Sequence, residues 1–477
     1  MEENRQHYLK LCRNGRIHMV GIAGSSMSGL AVLLRDMGYQ VTGSCDRPSE
    51  KADELTQKGI PVTVGEDPQL VHGASLVVYT TAVPQENREI EESRKLGIPL
   101  IDRPALLSEI AEAYSQTVAV SGTHGKTTTT SMLSQILVEG GLDPSVHIGG
   151  ELDAIGGSVR LGESELFVTE ACEFRRAFLR LQPKVAIVLN IDRDHLDCYR
   201  DIEEIEEAFG QFMDRLSVEG VIIGNGNDPR VRRLVSARDK DFRLFGWDQS
   251  CDYYPCRYTE DEQGYAVFDF SYRGQILCRA ELRVPGRFNA ENAFAALAAA
   301  HLLGVDMNEA AKSLGHFRGA HRRFELTGNL NGTEFFHDYG HNPTEIRNAI
   351  SIARKRCKGT LIAVLQPHTF SRVRLMFDEF AECTKEADIT LVTDIFLARE
   401  TDPGDLNSGM LTAAMQEKGI HAILTPTFAD AEAKIRELSG PGDLVITLGC
   451  GNINLLNERI MSVSEHTEGQ RIRSIQR

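Results

Sequence analysis

The sequence predicts an α/β protein of three domains, each built on a mainly parallel β-sheet. Short apolar runs bounded by Gly, Pro or Asp alternate with longer segments of helical period along the whole chain, which is typical of strand–helix–strand units. The chain has 477 residues. Because a single core usually stops growing at about 250 to 300 residues, and a domain takes roughly 150, we expect about three domains.

The first domain is expected over residues 1–113. Its predicted elements are strands at 17–22 and 74–83 and helices at 28–37 and 103–115. The first strand leads through a glycine-rich turn into a helix, as in a Rossmann-like domain, so backbone amides at the helix start should face an anion. Ala23 and Ser26 break the glycine fingerprint of dinucleotide-binding proteins, whereas Asp46 follows the second strand at the spacing of a ribose-binding acid. A nucleotide site and a simple tight turn both stay open here.

The second domain, expected over residues 114–325, contains a more specific glycine-rich turn. A strand at 117–121 runs into a loop and then a helix through Glu139; the loop is Gly122-Thr123-His124-Gly125-Lys126-Thr127-Thr128. Successive backbone amides and a lysine ammonium can hold the β- and γ-phosphates of a nucleotide, and a hydroxyl after the lysine can bind Mg²⁺. Val120 stands where the full Walker spacing requires a glycine. We therefore predict a shortened loop in a P-loop-type ATPase domain.

Two further side chains of this domain are candidates for the metal site. Glu170 ends the strand-like run ELFVTEA, and His195 follows the strand-like run AIVLNID. Strand ends are where α/β sheets place ligand-binding side chains. Taken singly, each residue is also compatible with a solvated loop.

The third domain is expected over residues 326–477 and is again Rossmann-like. Its predicted strands lie at 333–338, 360–366, 388–396, 420–426 and 443–449, separated by helical segments such as 343–357. Before this domain, residues 265–285 alternate around the turn Tyr272-Arg273-Gly274, which predicts a hairpin that interrupts the parallel pattern. A polar tail follows residue 462.

Charge and composition exclude several classes of protein. Lys and Arg number 52 against 68 Asp and Glu, a formal charge of −16 without a basic run, so no nucleic-acid partner is expected. The sequence offers neither a signal-peptide stretch nor 18 uninterrupted apolar residues, which predicts a cytoplasmic protein without a membrane partner. Its 10 cysteines form no Cys-x-x-Cys pair, so we expect free thiols rather than a zinc ribbon.

In their order along the chain, many segments resemble the motifs of the Mur ligases, ATP-dependent amide-forming enzymes of peptidoglycan precursor assembly. The matching segments are GIAGSSMSGLA (21–31), SGTHGKTTTT (121–130), TEACE (169–173), NIDRDHLD (190–197), PGRFNAENA (285–293), RRFE (322–325), HDYGHNPTE (337–345), LQPHTFSR (365–372) and PGDLVITLGCGNI (441–453). Each motif is weak alone, but their order and spacing are specific. The resemblance covers nearly the whole chain.

The resemblance implies substrates and site residues. The first domain would bind the UDP portion of UDP-N-acetylmuramic acid, the second ATP with Mg²⁺, and the third the acceptor, L-alanine. The residues implied for the UDP-sugar are Gly21, Gly24, Ser25, Ser26, Met27, Ser28 and Asp46. Those implied for ATP are Gly122, Thr123, His124, Gly125, Lys126, Thr127, Thr128, Asn289, Asn292, Arg323 and Asp338. The acceptor side would use His341, His368 and Arg372, the metals Thr127, Glu170 and His195, and catalysis Lys126, Glu170 and His195.

The sequence departs from the family pattern at several site positions. Asn342 replaces the second His of a Gly-His-His-Pro run, and Thr369 replaces an Arg after Gln-Pro-His. Cys172-Glu173-Phe174 interrupts an acidic run, so the resemblance transfers only Glu170 from that segment.

Three alternative functions stay open. A nicotinamide-dependent oxidoreductase acting on a sugar nucleotide would use the first glycine turn, although its fingerprint is broken. A nucleotide-gated switch would use Gly125-Lys126-Thr127 without a ligase reaction. Within the family, the nearest alternative is a recycling ligase that attaches murein tripeptide to the same UDP-sugar. The sequence leaves a monomer and a homodimer equally open.

Overall fold

Three β-sheets follow one another along the chain, each with helices on its faces. The computed structural model describes residues 8–195, 198–398 and 400–462. The polar tail predicted after residue 462 lies outside these ranges. Within them, no helix is both long and apolar enough to cross a membrane.

The N-terminal sheet has five strands, all parallel. They are β1 Arg16–Val20, β2 Gln40–Cys45, β3 Val62–Val64, β4 Ala74–Tyr79 and β5 Leu100–Asp102. Its helices are α1 Tyr8–Leu11, α2 Ser25–Asp36, α3 Glu50–Gln57, α4 Arg88–Leu96 and α5 Arg103–Ala111. The strand order β3-β2-β1-β4-β5 reverses direction beside β1, as in a Rossmann-like sheet. The glycine-rich turn after β1 therefore opens at the point where such sheets bind ligands.

The ends of these elements differ from the sequence prediction. The strand predicted to residue 22 ends at Val20, because Gly21 turns the chain with φ 77° and its N–H bonds the Ser44 carbonyl. The helix predicted from residue 28 begins at Ser25, after Gly24 in extended conformation. Its first turn thus contains residues 25–28; the backbone N–H groups of residues 25–27 lie at the free end of the helix, whereas the Ser28 N–H donates to the Gly24 carbonyl (2.9 Å).

The central sheet has ten strands and is mixed. They are β6 Gln116–Ser121, β7 Ser145–Leu152, β8 Gly157–Arg160, β9 Leu166–Glu170, β10 Val185–Val188, β11 Val221–Asn225, β12 Asp241–Phe245, β13 Tyr253–Glu260, β14 Ala266–Tyr272 and β15 Gln275–Glu281. Its helices are α6 Lys126–Glu139, α7 Ile202–Asp214, α8 Pro229–Ser236, α9 Arg287–Leu302 and α10 Met307–His316. The order is β15-β14-β13-β12-β11-β10-β6-β9-β7-β8. Strands β14 and β15 pair antiparallel, which confirms the predicted hairpin.

The middle of this sheet is covered by α6 and α9, both buried on nearly every side. Helix α9 is rich in alanine, and residues 293–300 are all fully buried. Small side chains let α9 approach α6 closely, and a helix buried all round needs no polar face. Because α6 begins directly after β6, this packing fixes the glycine-rich loop between them.

The C-terminal sheet has six strands. They are β16 Glu325–Leu330, β17 Thr333–Asp338, β18 Leu361–Leu365, β19 Ile389–Val392, β20 Ala422–Leu424 and β21 Leu444–Leu448. Its helices are α11 Pro343–Arg356, α12 Phe370–Leu375, α13 Phe377–Phe380, α14 Ser408–Glu417 and α15 Phe428–Leu438. The order is β16-β17-β21-β18-β19-β20, and only β16 runs antiparallel to its neighbour.

The edge strand β16 was not predicted. It joins β17 through the two-residue turn Asn331-Gly332, in which both residues have positive φ (53° and 87°). An Asn-Gly pair between two strands is the usual signal for such a hairpin. The sequence therefore contained the information, but the short and half-exposed strand before the turn has little apolar pattern.

Candidate active site

The glycine-rich loop after β6 is held in one conformation by its neighbours. Gly125, the residue before α6, has φ 86°, and a Cβ there would lie 2.4 Å from Asn292 Oδ1. Asn190 accepts a hydrogen bond from the His124 N–H (2.8 Å) and donates one to the His124 carbonyl (3.0 Å). The loop therefore requires glycine at 125 and presents the free N–H groups of α6, an arrangement suited to phosphate.

Lys126 is paired with a carboxylate that the sequence analysis had set aside. Its Nζ donates to both carboxylate oxygens of Glu173 (2.9 and 3.0 Å) and to the carbonyl of Thr123 (3.0 Å). Glu173 is only 2% exposed. Burial alone would lower the pKa of Lys126, but the charge of Glu173 raises it above its ordinary value. The loop lysine is thus charged and neutralised internally.

Glu170 and His195, the two predicted metal positions, both lie near this pair. Glu170 ends β9 and accepts a hydrogen bond from the Gly149 N–H (2.7 Å). His195 has φ 52°, its ring packs against Phe174, and its Nε2 lies 3.7 Å from Glu173 Oε1. Glu173 was missed because Cys172 and Phe174 interrupt the acidic run. Its position three residues after the strand-end Glu170 was the available signal.

These donors fit a magnesium site that the phosphates of a bound nucleotide would complete. In the part of the chain that the structure describes, no group of three His, Cys, Asp or Glu side chains is close enough to hold a metal ion. Mg²⁺ usually takes one or two carboxylates and fills its remaining positions with water and substrate phosphates. The hydroxyl of Thr127, at the start of α6, and the carboxylate of Glu170 are oxygen donors of that kind. Their role stays a proposal.

Asn289 and Asn292, implied for adenine, lie on α9 behind the loop. Both are 6% exposed. Asn292 accepts a hydrogen bond from the Thr129 hydroxyl (3.2 Å) and donates to Asn289 Oδ1 (3.4 Å), while Asn289 donates to the Pro285 carbonyl (2.7 Å). The two amides therefore link the first turn of α6, directly after the loop, to α9. Their contact with adenine stays a prediction.

The segment between the central and C-terminal sheets is anchored by Asp338. This carboxylate ends β17 and accepts hydrogen bonds from the N–H groups of Phe324 (2.8 Å) and Gly340 (2.7 Å). Burial raises its pKa to about 6, against the opposing charge of Arg323. The guanidinium of Arg323 lies over the ring of Tyr339 at 4.9 Å. Arg323 and Asp338 are thus both placed at the connection between the two sheets.

A cavity of about 710 Å³ lies where the three sheets meet. Its walls include predicted site residues from every sheet: Gly24, Ser25, Ser26 and Met27, then Glu170 and His195, then His341, His368 and Arg372. Other predicted residues lie apart from it. Asp46 is exposed after β2, Ser28 is a buried residue of α2, and the residues of the glycine-rich loop after β6 lie beside the cavity rather than in its wall. The structure therefore brings the residues predicted for the UDP-sugar and those predicted for the acceptor to one cavity, and the glycine-rich loop after β6 lies beside it.

The acceptor-side residues cluster around the Arg372 cation, which is tied to the central sheet. Arg372 Nη1 lies 3.1 Å from His368 Nδ1, and Arg372 Nη2 donates to Asp194 (3.0 Å), which is 7% exposed. Burial opposes ionisation of Asp194, but the charges of His195 and Arg372 hold its pKa well below the usual range. The rings of His341 and His368 meet edge to face at 5.7 Å. Arg372 is thereby fixed across the domain boundary.

His124 of the phosphate loop makes a second link across that boundary. Its Nε2 lies 3.1 Å from Asp192 of the central unit, and its Nδ1 lies 3.3 Å from Glu345 at the start of α11. Burial lowers the pKa of His124, but hydrogen bonds with Asp192 and Glu345 outweigh it and raise the pKa to about 9. At neutral pH this imidazolium therefore bridges two carboxylates from different units.

We expect this bridge to lose its stabilising effect as the pH rises. Because the folded pKa of about 9 exceeds the ordinary value of 6.5, the contribution is complete below pH 6.5 and disappears as pH rises through 9. It amounts to at most about 3 kcal/mol. The difference in thermal stability between the wild type and His124→Asn, measured from pH 6 to 9.5, should shrink with increasing pH. A difference independent of pH would contradict the charged bridge.

Comparison with known proteins agrees with this architecture. The Mur ligase family catalytic domain matches residues 16–115, the Mur ligase middle domain matches 120–300, and the Mur ligase glutamate ligase domain matches 322–451. A UDP-N-acetylmuramate–L-alanine ligase of Caldanaerobacter subterraneus is 40% identical over 446 residues, which cover 94% of this chain and 97% of the relative.

Two solved structures share the whole fold. The UDP-N-acetylmuramate–alanine ligase of Thermotoga maritima is 25% identical with a TM-score of 0.81, covering 95% of this chain and 100% of that one. A murein peptide ligase of Psychrobacter arcticus is 26% identical with a TM-score of 0.72, covering 94% and 98%. Since the three matched domains coincide with the three sheets, and the relatives align over nearly the full length, the chain belongs to the Mur ligase family of ATP-dependent amide-forming ligases.

Proposed function

We propose that this chain joins L-alanine to the lactyl carboxylate of UDP-N-acetylmuramic acid, with ATP as the energy source, in peptidoglycan precursor synthesis. The observation that carries the proposal is the cavity where the start of α2, the Glu170 and His195 side chains, and the His368–Arg372 pair face one another. An acid can reach it from the N-terminal unit and an amine from the C-terminal unit, beside a phosphate loop. The similarity to a ligase named for these two substrates adds support.

The reaction proceeds by two displacements. A carboxylate oxygen of the sugar acid attacks the γ-phosphorus of ATP, the bond to the bridging oxygen breaks, and ADP leaves behind an acyl phosphate. The amine of alanine then attacks the acyl carbon, a C–N bond forms, phosphate leaves and the amine loses a proton. Negative charge accumulates at the γ-phosphate in the first step. Lys126 and the N–H groups at the start of α6 stabilise that charge.

Other residues bind and orient the reactants. Thr127, Glu170 and His195 would hold Mg²⁺, which neutralises phosphate charge when it is bound. Arg372 supplies a cation for the carboxylate of the amino acid. The connection anchored by Asp338 allows the C-terminal unit to close and exclude water before the acyl phosphate forms. We also propose that the N-terminal and central domains meet near residue 113, and the central and C-terminal domains near residue 325.

A phosphate-release assay tests this function. With UDP-N-acetylmuramic acid and ATP present, we expect L-alanine to give faster turnover than larger amino acids, which a small pocket excludes by steric clash. Glycine should react more slowly but measurably, because one missing methyl group costs only about 1–3 kcal/mol. Faster turnover with murein tripeptide than with alanine would move the assignment to the peptide-recycling reaction. Phosphate release without an amino acid would contradict a ligase.

A further inference from the structure

Arg103 is a partly buried cation in the cavity wall that has no counter-ion in the described part of the chain. It is the first residue of α5, and its guanidinium Nη1 donates a hydrogen bond to the Ser26 hydroxyl (3.1 Å). The carboxylate next to it in sequence, Asp102, is engaged elsewhere. Asp102 accepts hydrogen bonds from the Ala105 N–H (2.9 Å) and from Arg180 (2.9 Å). Arg103 therefore faces the cavity without an ion pair.

Such an arrangement is costly unless a ligand completes it. Burial lowers the pKa of Arg103, yet a guanidinium keeps its proton under all ordinary conditions. A cation removed from water needs a partner of opposite charge. The cavity opens directly onto this side chain, so the missing partner is expected from a bound molecule.

The surroundings hold Arg103 in position, whereas the charges of Asp102 and Glu170 act on it without forming an ion pair. Ser26 Oγ lies 3.4 Å from His147 Nε2, and His147 Nδ1 lies 3.2 Å from the Thr169 hydroxyl. His147 is 4% exposed, and burial together with the charge of Arg103 lowers its pKa to about 3. The imidazole is therefore neutral at physiological pH. This chain of polar groups runs from α2 to β9 and fixes the guanidinium where the N-terminal and central units meet.

We propose that Arg103 is a substrate-binding residue that pairs with an oxyanion of the UDP-sugar acid. This inference rests on the proposed function. The Arg103 side chain lies between Ser26, at the start of α2, and Glu170, the proposed magnesium ligand at the end of β9. Two oxyanions of that substrate have the chemistry that a guanidinium binds through paired N–H donors: the diphosphate and the lactyl carboxylate. Arg103 is not among the residues assigned above to the acceptor or to ATP.

The test is equilibrium binding, without ATP or amino acid, to the full-length protein. UDP-N-acetylmuramic acid carries both oxyanions, and UDP-N-acetylglucosamine carries the diphosphate alone. Each is titrated by calorimetry into the wild type, Arg103→Gln and Arg103→Lys. The glutamine retains a donor for Ser26 and removes the charge. Arg94→Ala is the matched control, because Arg94 lies exposed on α4 of the same unit, bonded to the Gln85 carbonyl.

We expect Arg103→Gln to bind UDP-N-acetylmuramic acid about 10- to 100-fold more weakly, the usual scale for a hydrogen bond to a charged group. Arg103→Lys should fall between, and Arg94→Ala should match the wild type. A loss with both ligands assigns the diphosphate, and a loss with UDP-N-acetylmuramic acid alone assigns the carboxylate. Wild-type affinity in both Arg103 variants would overturn the inference. Absence of binding to the wild type would instead contradict the proposed function.

Discussion

Replacing Lys126 by Ala is expected to lower kcat by about 10²- to 10³-fold, the usual loss when one preorganised donor to a developing charge is removed. From its position in a glycine-rich loop, Lys126 would be replaceable without loss of stability, but the structure contradicts that expectation. Lys126 is the partner of Glu173, which is 2% exposed. Breaking a buried ion pair from one side costs about 3–5 kcal/mol, because the remaining charge stays buried. The variant should therefore be both slow and less stable.

The double variant Lys126→Ala/Glu173→Ala separates the two effects. Removing the orphaned carboxylate should restore much of the thermal stability, whereas turnover should stay low because the cation at the γ-phosphate is still missing. Phosphate release and thermal unfolding, measured on all three proteins, provide both readouts. Near wild-type turnover in either variant would contradict the role of Lys126. A single variant as stable as the wild type would contradict the buried pair.

Replacing Arg372 by Ala is expected to lower kcat/KM for the amino acid by about 10²-fold or more. Removal of this guanidinium withdraws the proposed cation for the acceptor carboxylate and releases His368, and a misplacement near 1 Å alone costs about that factor. It also leaves Asp194, which is 7% exposed, without its partner at 3.0 Å. A stability loss of about 3–5 kcal/mol should accompany the kinetic effect.

Arg374→Ala is the control for this experiment. Arg374 lies on the same helix, α12, but pairs with Asp405 on the surface, where the side chains are 51% and 62% exposed. Surface pairs of this kind contribute about 0–1 kcal/mol. Kinetics and stability close to wild type are therefore expected. If the two arginine variants behave alike, the link between Arg372 and Asp194 has no special role.

The sequence predicted the three mainly parallel sheets, and the glycine-rich loop between a strand and a helix, for physical reasons. Buried parallel strands appear as continuous apolar runs, and the Gly125-Lys126-Thr127 turn between a strand and a helix has few other uses. Exact helix starts were less predictable. Helix α2 begins at Ser25 because Gly24 is extended, a conformation that no periodicity in the sequence records.

The partners of the site residues were beyond sequence reasoning. Glu173 with Lys126, Asp194 with Arg372, and Glu345 with His124 are separated by 47, 178 and 221 residues along the chain. Such pairs arise from how the units pack, and local pattern carries no information on long-range contacts. From the sequence alone, the acidic residue of each pair cannot be distinguished from an exposed surface carboxylate.

Because Lys126 is already paired with Glu173, an anion must break that ion pair before it can bind the loop lysine. A small anion such as chloride or free phosphate must displace a carboxylate held by two hydrogen bonds, and it occupies only part of the loop. A triphosphate arriving with its metal offers several oxygens to the loop at once. Apparent affinity falls by the same factor, the fraction of molecules in which the lysine is available, for every ligand that needs the free lysine, so a ligand with few other contacts is left with little binding. We therefore expect the inorganic phosphate released by the proposed reaction to occupy the loop more weakly than the nucleotide does.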